Sequence, residues 1–377
     1  MLNDYASRIA RLQEIMQEQG AGLTIVSFTD QMRYLTGYLE GAHERLLALF
    51  IPAVGSPAFL VPSMNAQEAS TNPAGIANVI GWTDGEGWKA HVVTLIASFS
   101  MSLFALPEDA LVLVDDELHS VHLLALQTLF PDFEYKPAGD TLAKLRGLKT
   151  EAELVSLESA AILIDSIFEE TLTQLVVGVT EAELQEFIFS AIKRHHSTPS
   201  FTPLVCFGEN GAMPHHRSDA TPLKLGDMVV LDIGCMWEHY CSDITRTVAF
   251  GEPADPKAYE VYRAVSEGHW AAREAVHPGT TCEAIDQAAR TKIEAAGYGP
   301  QFIHRTGHGI GLSCHEPPNI NTGVLTPLEP GMCFSIEPGI YLPGRFGVRI
   351  ENIMTVTSDG VRSLNADPSG ELRIIAP

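Results

Sequence analysis

Residues 225–247 read LGDMVVLDIGCMWEHYCSDITRT. An aliphatic, β-branched run (228–233) and a second strand-like run (241–250) flank a turn at 236–239, so the stretch predicts a β-hairpin. Asp232 and Asp243 are centred on that turn. A simple hairpin therefore sets them directly opposite each other on one face, with Cβ atoms about 5 Å apart. Two ionised carboxylates at that spacing repel, and an apolar sheet screens them poorly. Either one keeps its proton or a cation lies between them.

The same device occurs again downstream. Glu337 and Glu351 are centred on Gly344, inside the turn-like LPGRFG at 342–347. The flanking text repeats too. TPLKLG at 221–226 matches TPLEPG at 326–331, and DIG at 232–234 matches EPG at 337–339, both at an offset of 105 (326 − 221 and 337 − 232). A weaker match pairs GVT at 178–180 with GTT at 279–281. Residues from about 150 onward thus read as two similar halves, each a helix followed by a carboxylate-bearing hairpin.

The chain has 377 residues, 45% of them hydrophobic, which is material for two domains or one large one. A net charge of −23 excludes a nucleic-acid binder or an anionic-membrane binder, both of which need basic patches. No stretch reaches the roughly 18 uninterrupted apolar residues of a membrane span. The N-terminus lacks the basic start and short apolar core of a secretory signal. Six cysteines lie between 206 and 333 without a CxxC pair, which predicts reduced thiols in a cytoplasmic protein and no thiolate metal site.

The first part of the chain alternates helices and strands. Helical periodicity covers 7–19, with Gly20 as its stop. Strands are expected at 23–27, 46–51, 58–61, 78–82 and 111–114, helices from about 89 and 118, and an aromatic-rich loop at 31–38 (QMRYLTGY). This predicts an α/β domain with a mixed sheet. Its histidines (His43, His91, His119, His122) share no ligand spacing. LRGLKT at 145–150 is a polar connection, and Thr150 with Glu153 and Thr180 with Glu183 form capping boxes that start helices. The boundary falls near 147, giving domains 1–147 and 148–377. Further helices are expected over about 256–275 and 281–296.

Residues 302–318, FIHRTGHGIGLSCHEPP, supply a histidine among glycines. Alone, GHG reads equally well as a tight turn exposing His308. Beside four carboxylates it completes a hard, oxygen-rich donor set with one imidazole. Such a set suits two divalent ions sharing bridging carboxylates, Mn²⁺ first, with Co²⁺, Fe²⁺ or Zn²⁺ as alternatives. A closed single-zinc site has fewer and softer ligands.

These pieces resemble the pita-bread-fold metallopeptidases: aminopeptidase P, prolidase, methionine aminopeptidase and the related creatinase. The matching motifs are PHH (214–216), LDIG (231–234), SDITRT (242–247), HRTGHGIG (304–311), HEPP (315–318), IEPGIY (336–341) and VRIEN (348–352). QMRYLTGY before a hairpin resembles the N-terminal domain of the creatinase, prolidase and aminopeptidase P branch, a creatinase/ribonuclease H-like α/β fold. The resemblance implies an α+β pita-bread catalytic domain whose pseudo-twofold agrees with the repeat. It places five metal ligands on Asp232, Asp243, His308, Glu337 and Glu351, with Asp243 and Glu351 bridging. It gives Glu337, His215 and His315 roles in proton transfer and oxyanion stabilisation. Arg349 either orients the site carboxylates or meets a substrate carboxylate, and His304 lines the substrate pocket.

The implied activity is hydrolysis of an Xaa-Pro bond in a small peptide, by an aminopeptidase P or, alternatively, a prolidase acting on dipeptides. Prolidases commonly carry a basic residue just after HE-x-P, and Asn319 stands there instead, which favours the aminopeptidase. A creatinase-like C–N hydrolase or lyase is a remoter alternative, as is a non-catalytic binding protein. Family members usually form homodimers, so a homo-oligomer is expected.

Overall fold

The computed structural model describes residues 4–41, 43–100, 106–107 and 109–377. Its contacts divide the chain into two compact units, Met1–Arg146 and Gly147–Pro377.

In the first unit, helix Tyr5–Glu18 buries Ile9, Leu12, Ile15 and Met16, the apolar face expected from its spacing. Strands Ala21–Ser27, Ala48–Pro52, Ala58–Pro62, Asn78–Trp82, Leu111–Val114 and Glu134–Pro137 form one sheet. The pairs 21–27/48–52 and 48–52/58–62 are antiparallel and the others parallel, so the sheet is mixed as expected. The polar edge strand Glu134–Pro137 has too little apolar character to be read from its sequence. The predicted loop at 31–38 is largely the helix Asp30–Thr36. The Thr29 hydroxyl accepts from the Gln31 amide, and Gly37 ends the helix in the left-handed region at φ 70°. Two turns are too short for periodicity to register.

The second unit realises the internal repeat bond by bond. Capping boxes start helices Glu151–Leu172 and Glu181–Arg194, and Thr281 caps Cys282–Ala295. The Gly178 amide donates to Leu223 O at 2.9 Å and its counterpart Gly279 to Leu328 O at 2.8 Å. The Gly226 amide donates to Phe250 O at 2.7 Å and Gly331 to Val356 O at 2.9 Å. Isolated bridges join Thr180 to Pro222 and Thr281 to Pro327. Each half then sends an antiparallel ladder toward the centre. Leu204–Phe207, Met228–Ile233 and Ile244–Phe250 form the first, and Gly307–Gly309, Cys333–Ile336 and Asn352–Val356 the second. Apolar side chains of Ala258–Glu274 and Cys282–Ala295 pack with the second ladder, and those of Glu151–Leu172 and Glu181–Arg194 with the first. Among the described residues no helix is long and apolar enough to cross a membrane.

The two hairpins differ in how they hold their carboxylates. In the second, Gly339 pairs with Arg349 and Ile336 with Asn352, so the register on either side sets Glu337 opposite Glu351, as expected. In the first, Asp232 pairs with Thr245, not Asp243. The turn is Glu238–His239, with φ of 47° and 71°, between the paired Trp237 and Tyr240. That two-residue turn shifts the centre one residue beyond the expected position. Asp232 and Asp243 remain on one face but lie diagonally.

Candidate metal centre

His308 sits in a short strand pressed between two others. A Cβ on Gly307 would lie 1.9 Å from Ser335 O, and one on Gly309 2.4 Å from Pro317 O. Glycine is therefore required for close backbone approach, and His308 is 2% exposed, so the exposed-turn reading falls. The ring's Nδ1 lies 3.1 Å from Gly309 O, which only accepts, so Nδ1 carries the hydrogen. Nε2 is left with a bare lone pair, 3.3 Å from Glu337 Oε1 and 3.8 Å from Asp243 Oδ2. Lone pairs facing one another repel unless a cation or a proton lies between them, and a backbone carbonyl on the far nitrogen is how metal-ligating imidazoles are oriented.

The carboxylates carry the same message. Asp232 Oδ1, Asp243 Oδ1 and Glu351 Oε1 are buried without any hydrogen-bond partner. An unpaired buried carboxylate oxygen costs several kcal/mol unless its charge is compensated. Burial, followed by repulsion from Glu351, Asp232 and Glu337, raises the Asp243 carboxyl well above its usual range. Glu351 is raised by burial and by Glu337 and Asp232, and Glu337 is pushed up to about 7, chiefly by burial. Ligand atoms of Asp243, His308 and Glu351 lie within 4.8 Å of one another. The donor set fits divalent cations: four carboxylates, one correctly turned imidazole and three orphaned oxygens.

Thr245 and Arg349 fasten the two hairpins together at this point. The Thr245 hydroxyl donates to Glu351 Oε2 at 2.7 Å and accepts from Arg349 Nε at 3.0 Å. Arg349 also donates through Nη2 to Asp232 Oδ2 at 2.5 Å and through Nη1 to Tyr341 Oη at 2.9 Å. All three guanidinium nitrogens are engaged and the residue is 5% exposed. Of the two roles expected for Arg349, the geometry supports orienting Asp232; a substrate carboxylate would have to displace these bonds. His304 lines the pocket as expected, with both nitrogens used. Nδ1 donates to Arg305 O at 2.7 Å, and Nε2 accepts from Tyr341 Oη at 2.8 Å. Burial holds that ring neutral, its pKa lowered to about 4.

The centre floors a pocket of about 450 Å³, within the range of small-ligand sites. His215 and His315 stand exposed on its wall, with Phe201, Pro214, Arg305 and Cys314. The loop bearing His215 is anchored by Glu181, which is fully buried and accepts from Phe207 N, Asn210 Nδ2, Asp219 N and the His216 ring. Glu181, His216 and Asp219 cluster closely enough to suggest a metal, but donors already satisfy both Glu181 oxygens, so the cluster is a loop clamp. The loop bearing His315 is pinned by a buried ion pair, Lys149 Nζ to Glu316 Oε1 at 2.8 Å. Sequence reasoning missed Arg305 and Cys314. Each adjoins a motif histidine, and adjacency alone says nothing of where a side chain points. Arg305 is half-buried and donates to Asn319 Oδ1 at 2.6 Å. Among the described residues it meets no carboxylate within ion-pair distance.

Comparison with known proteins agrees with this architecture. Residues 156–358 match the model of metallopeptidase family M24, and residues 8–148 that of the creatinase/prolidase N-terminal domain. An Xaa-Pro dipeptidase of Lactobacillus delbrueckii subsp. lactis is 36% identical over 97% of this chain and 98% of its own. The crystal structure of dipeptidase PepE from Mycobacterium ulcerans superposes with a TM-score of 0.91 at 37% identity, covering 99% of this chain and 98% of that one. A recombinant prolidase from Thermococcus sibiricus gives a TM-score of 0.91 at 34% identity, with 99% of both chains covered.

Proposed function

Because this chain belongs to metallopeptidase family M24, we propose that it is a metal-dependent dipeptidase hydrolysing Xaa-Pro dipeptides. The observation that carries the dipeptide preference is Arg305: a half-buried guanidinium in the pocket wall without a carboxylate of its own. It supplies, from the segment just before strand Gly307–Gly309, the positive charge that Asn319 lacks. Its bond to Asn319 keeps the fork aimed, and a dipeptide's terminal carboxylate would complete its hydrogen bonding. The aminopeptidase reading suggested by Asn319 takes second place, since the similar proteins named above are dipeptidases and a prolidase.

In this reading Asp232, Asp243, His308, Glu337 and Glu351 would hold two divalent ions, which would supply Lewis-acid polarisation of the scissile carbonyl and acidify a water. The oxygen-rich set favours Mn²⁺. Glu337 takes the proton of the attacking water and returns it toward the departing prolyl nitrogen. His215 and His315 donate to the oxygen on which negative charge develops. Arg349 and Thr245 keep Asp232 and Glu351 from turning away. Phe201 and Pro214 offer apolar surface to the pyrrolidine ring. Six free thiols suit a reducing, cytoplasmic setting.

The test is hydrolysis of an Xaa-Pro dipeptide and an Xaa-Pro-Yaa tripeptide by Mn²⁺-loaded protein. We expect dipeptide turnover that chelation abolishes. Arg305→Ala should raise KM for the dipeptide by about 10- to 100-fold, the worth of a charge-assisted hydrogen bond or two. Preferential tripeptide cleavage would reinstate the aminopeptidase, and no metal-dependent turnover of either would refute the reading.

A further inference from the structure

Cys314 stands at the rim of the metal centre. Its Sγ donates to Asp243 Oδ2 at 3.3 Å. Ligand atoms of Asp243, Cys314 and His315 all lie within 4.8 Å of one another. Asp243 is 4% exposed and its other oxygen, Oδ1, has no partner, so the thiol faces a buried carboxylate whose charge only that weak donor meets. The segment bearing Cys314 is fastened at two points. The Cys241 amide donates to Gly311 O at 2.8 Å, and Cys241 Sγ to Leu312 O at 3.3 Å. The other five cysteines are buried, and Cys314 alone is partly exposed.

One thiol, one imidazole and one carboxylate make a different donor set from the oxygen-rich group beside them. Thiolate and imidazole select Zn²⁺ and its softer congener Cd²⁺, whereas Mn²⁺ favours carboxylate and water. We propose that Asp243, Cys314 and His315 form a further metal site, selective for Zn²⁺ and inhibitory when filled. Binding forms a metal–sulfur bond in place of the S–H bond, and the thiol proton leaves to solvent. The ion draws Asp243 away from the oxygen-rich group and occupies the imidazole of His315. Excess zinc thereby switches off a protein that manganese activates. Only the inhibitory consequence rests on the peptidase reading; the site itself does not.

The experiment is a titration of Mn²⁺-loaded protein with Cd²⁺, read by the ultraviolet charge-transfer absorption of a thiolate–cadmium bond. One equivalent should produce the band, and Cys314→Ala should remove it. In a parallel measurement, Zn²⁺ should protect Cys314 of the unmodified protein from alkylation, read by mass spectrometry, so a variant that folds poorly does not decide the matter. Where the peptidase assay gives turnover, the Zn²⁺ concentration for half-inhibition should rise at least ~10-fold in Cys314→Ala. Zinc that merely exchanges into the oxygen-rich group leaves the sulfur free. Absence of a band, a band that survives in Cys314→Ala, or undiminished alkylation under Zn²⁺ would each overturn the proposal. None of these readouts needs peptide turnover, so failure of the peptidase reading is separately visible.

Discussion

Asp243 is a residue whose charge is hard to keep. It is 4% exposed, with Glu351, Asp232 and Glu337 all acting to raise its pKa. Its carboxylate accepts a hydrogen bond from a thiol, a weak donor. Asp243→Asn keeps the shape and removes the charge. In chelator the variant should melt at or above the temperature of the unmodified protein, because buried like-charge repulsion is relieved. It should also lose most of the rise in melting temperature that Mn²⁺ confers. Thermal melts of both proteins with and without Mn²⁺ check this; a large loss of stability in chelator would mean that Asp243 has a structural partner instead. His308 shows why identity alone was insufficient at this scale. Its place among glycines was visible in the chain, but its tautomer is set by Gly309 O, a contact the fold provides.

At the scale of elements, helix Ala258–Glu274 buries a histidine that the site does not use. His269 is fully buried, and neither ring nitrogen has a partner. Burial, aided by Arg246 and Arg273, lowers its pKa from 6.5 to about 3. The unfolded chain therefore binds a proton between those values that the folded chain refuses. The helix's contribution is intact above pH 6.5 and is lost as pH falls toward 3, at about 1.4 kcal/mol per pH unit. His269→Gln cannot titrate. Relative to it, the unmodified protein should lose about 2 kcal/mol more stability between pH 7 and pH 5, measured by urea unfolding at both values. Parallel pH dependence in the two proteins would show that His269 is not the group responsible. The hairpins teach a different lesson at this scale. Gly344, at φ 69°, marks its turn in the sequence, so the pairing of Glu337 with Glu351 was legible. Glu238–His239 carries no such signal, and the first register was misplaced by two residues, its turn centre by one.

For the whole molecule, net charge and metal occupancy act together. The chain carries −23, and four of those charges converge on one pocket. Cations bound there stabilise the folded state by mass action, provided the carboxylates have given up their protons. Carboxyls whose pKa is raised by burial take up protons sooner as pH falls, so the Mn²⁺-induced rise in melting temperature should be larger at pH 7.5 than at pH 5.5. Calorimetric scans in Mn²⁺ and in chelator at both values check this, and an equal or reversed difference would argue against carboxylate ligation.

The chain by itself determined the spacing of the four carboxylates and His308, the 105-residue repeat, and the helices opened by Thr150, Thr180 and Thr281. These are carried by local chemistry: capping boxes, β-branched runs and glycines at fixed spacing act over a few residues and repeat in register. Only the tertiary structure decided that Asp232 faces Thr245, that Arg349 is occupied in orienting Asp232, and that Arg305 and Cys314 line the pocket. Those outcomes depend on where segments distant in sequence come to rest against one another. Side-chain direction there is set by packing and by hydrogen bonds between hairpins, which no local pattern encodes.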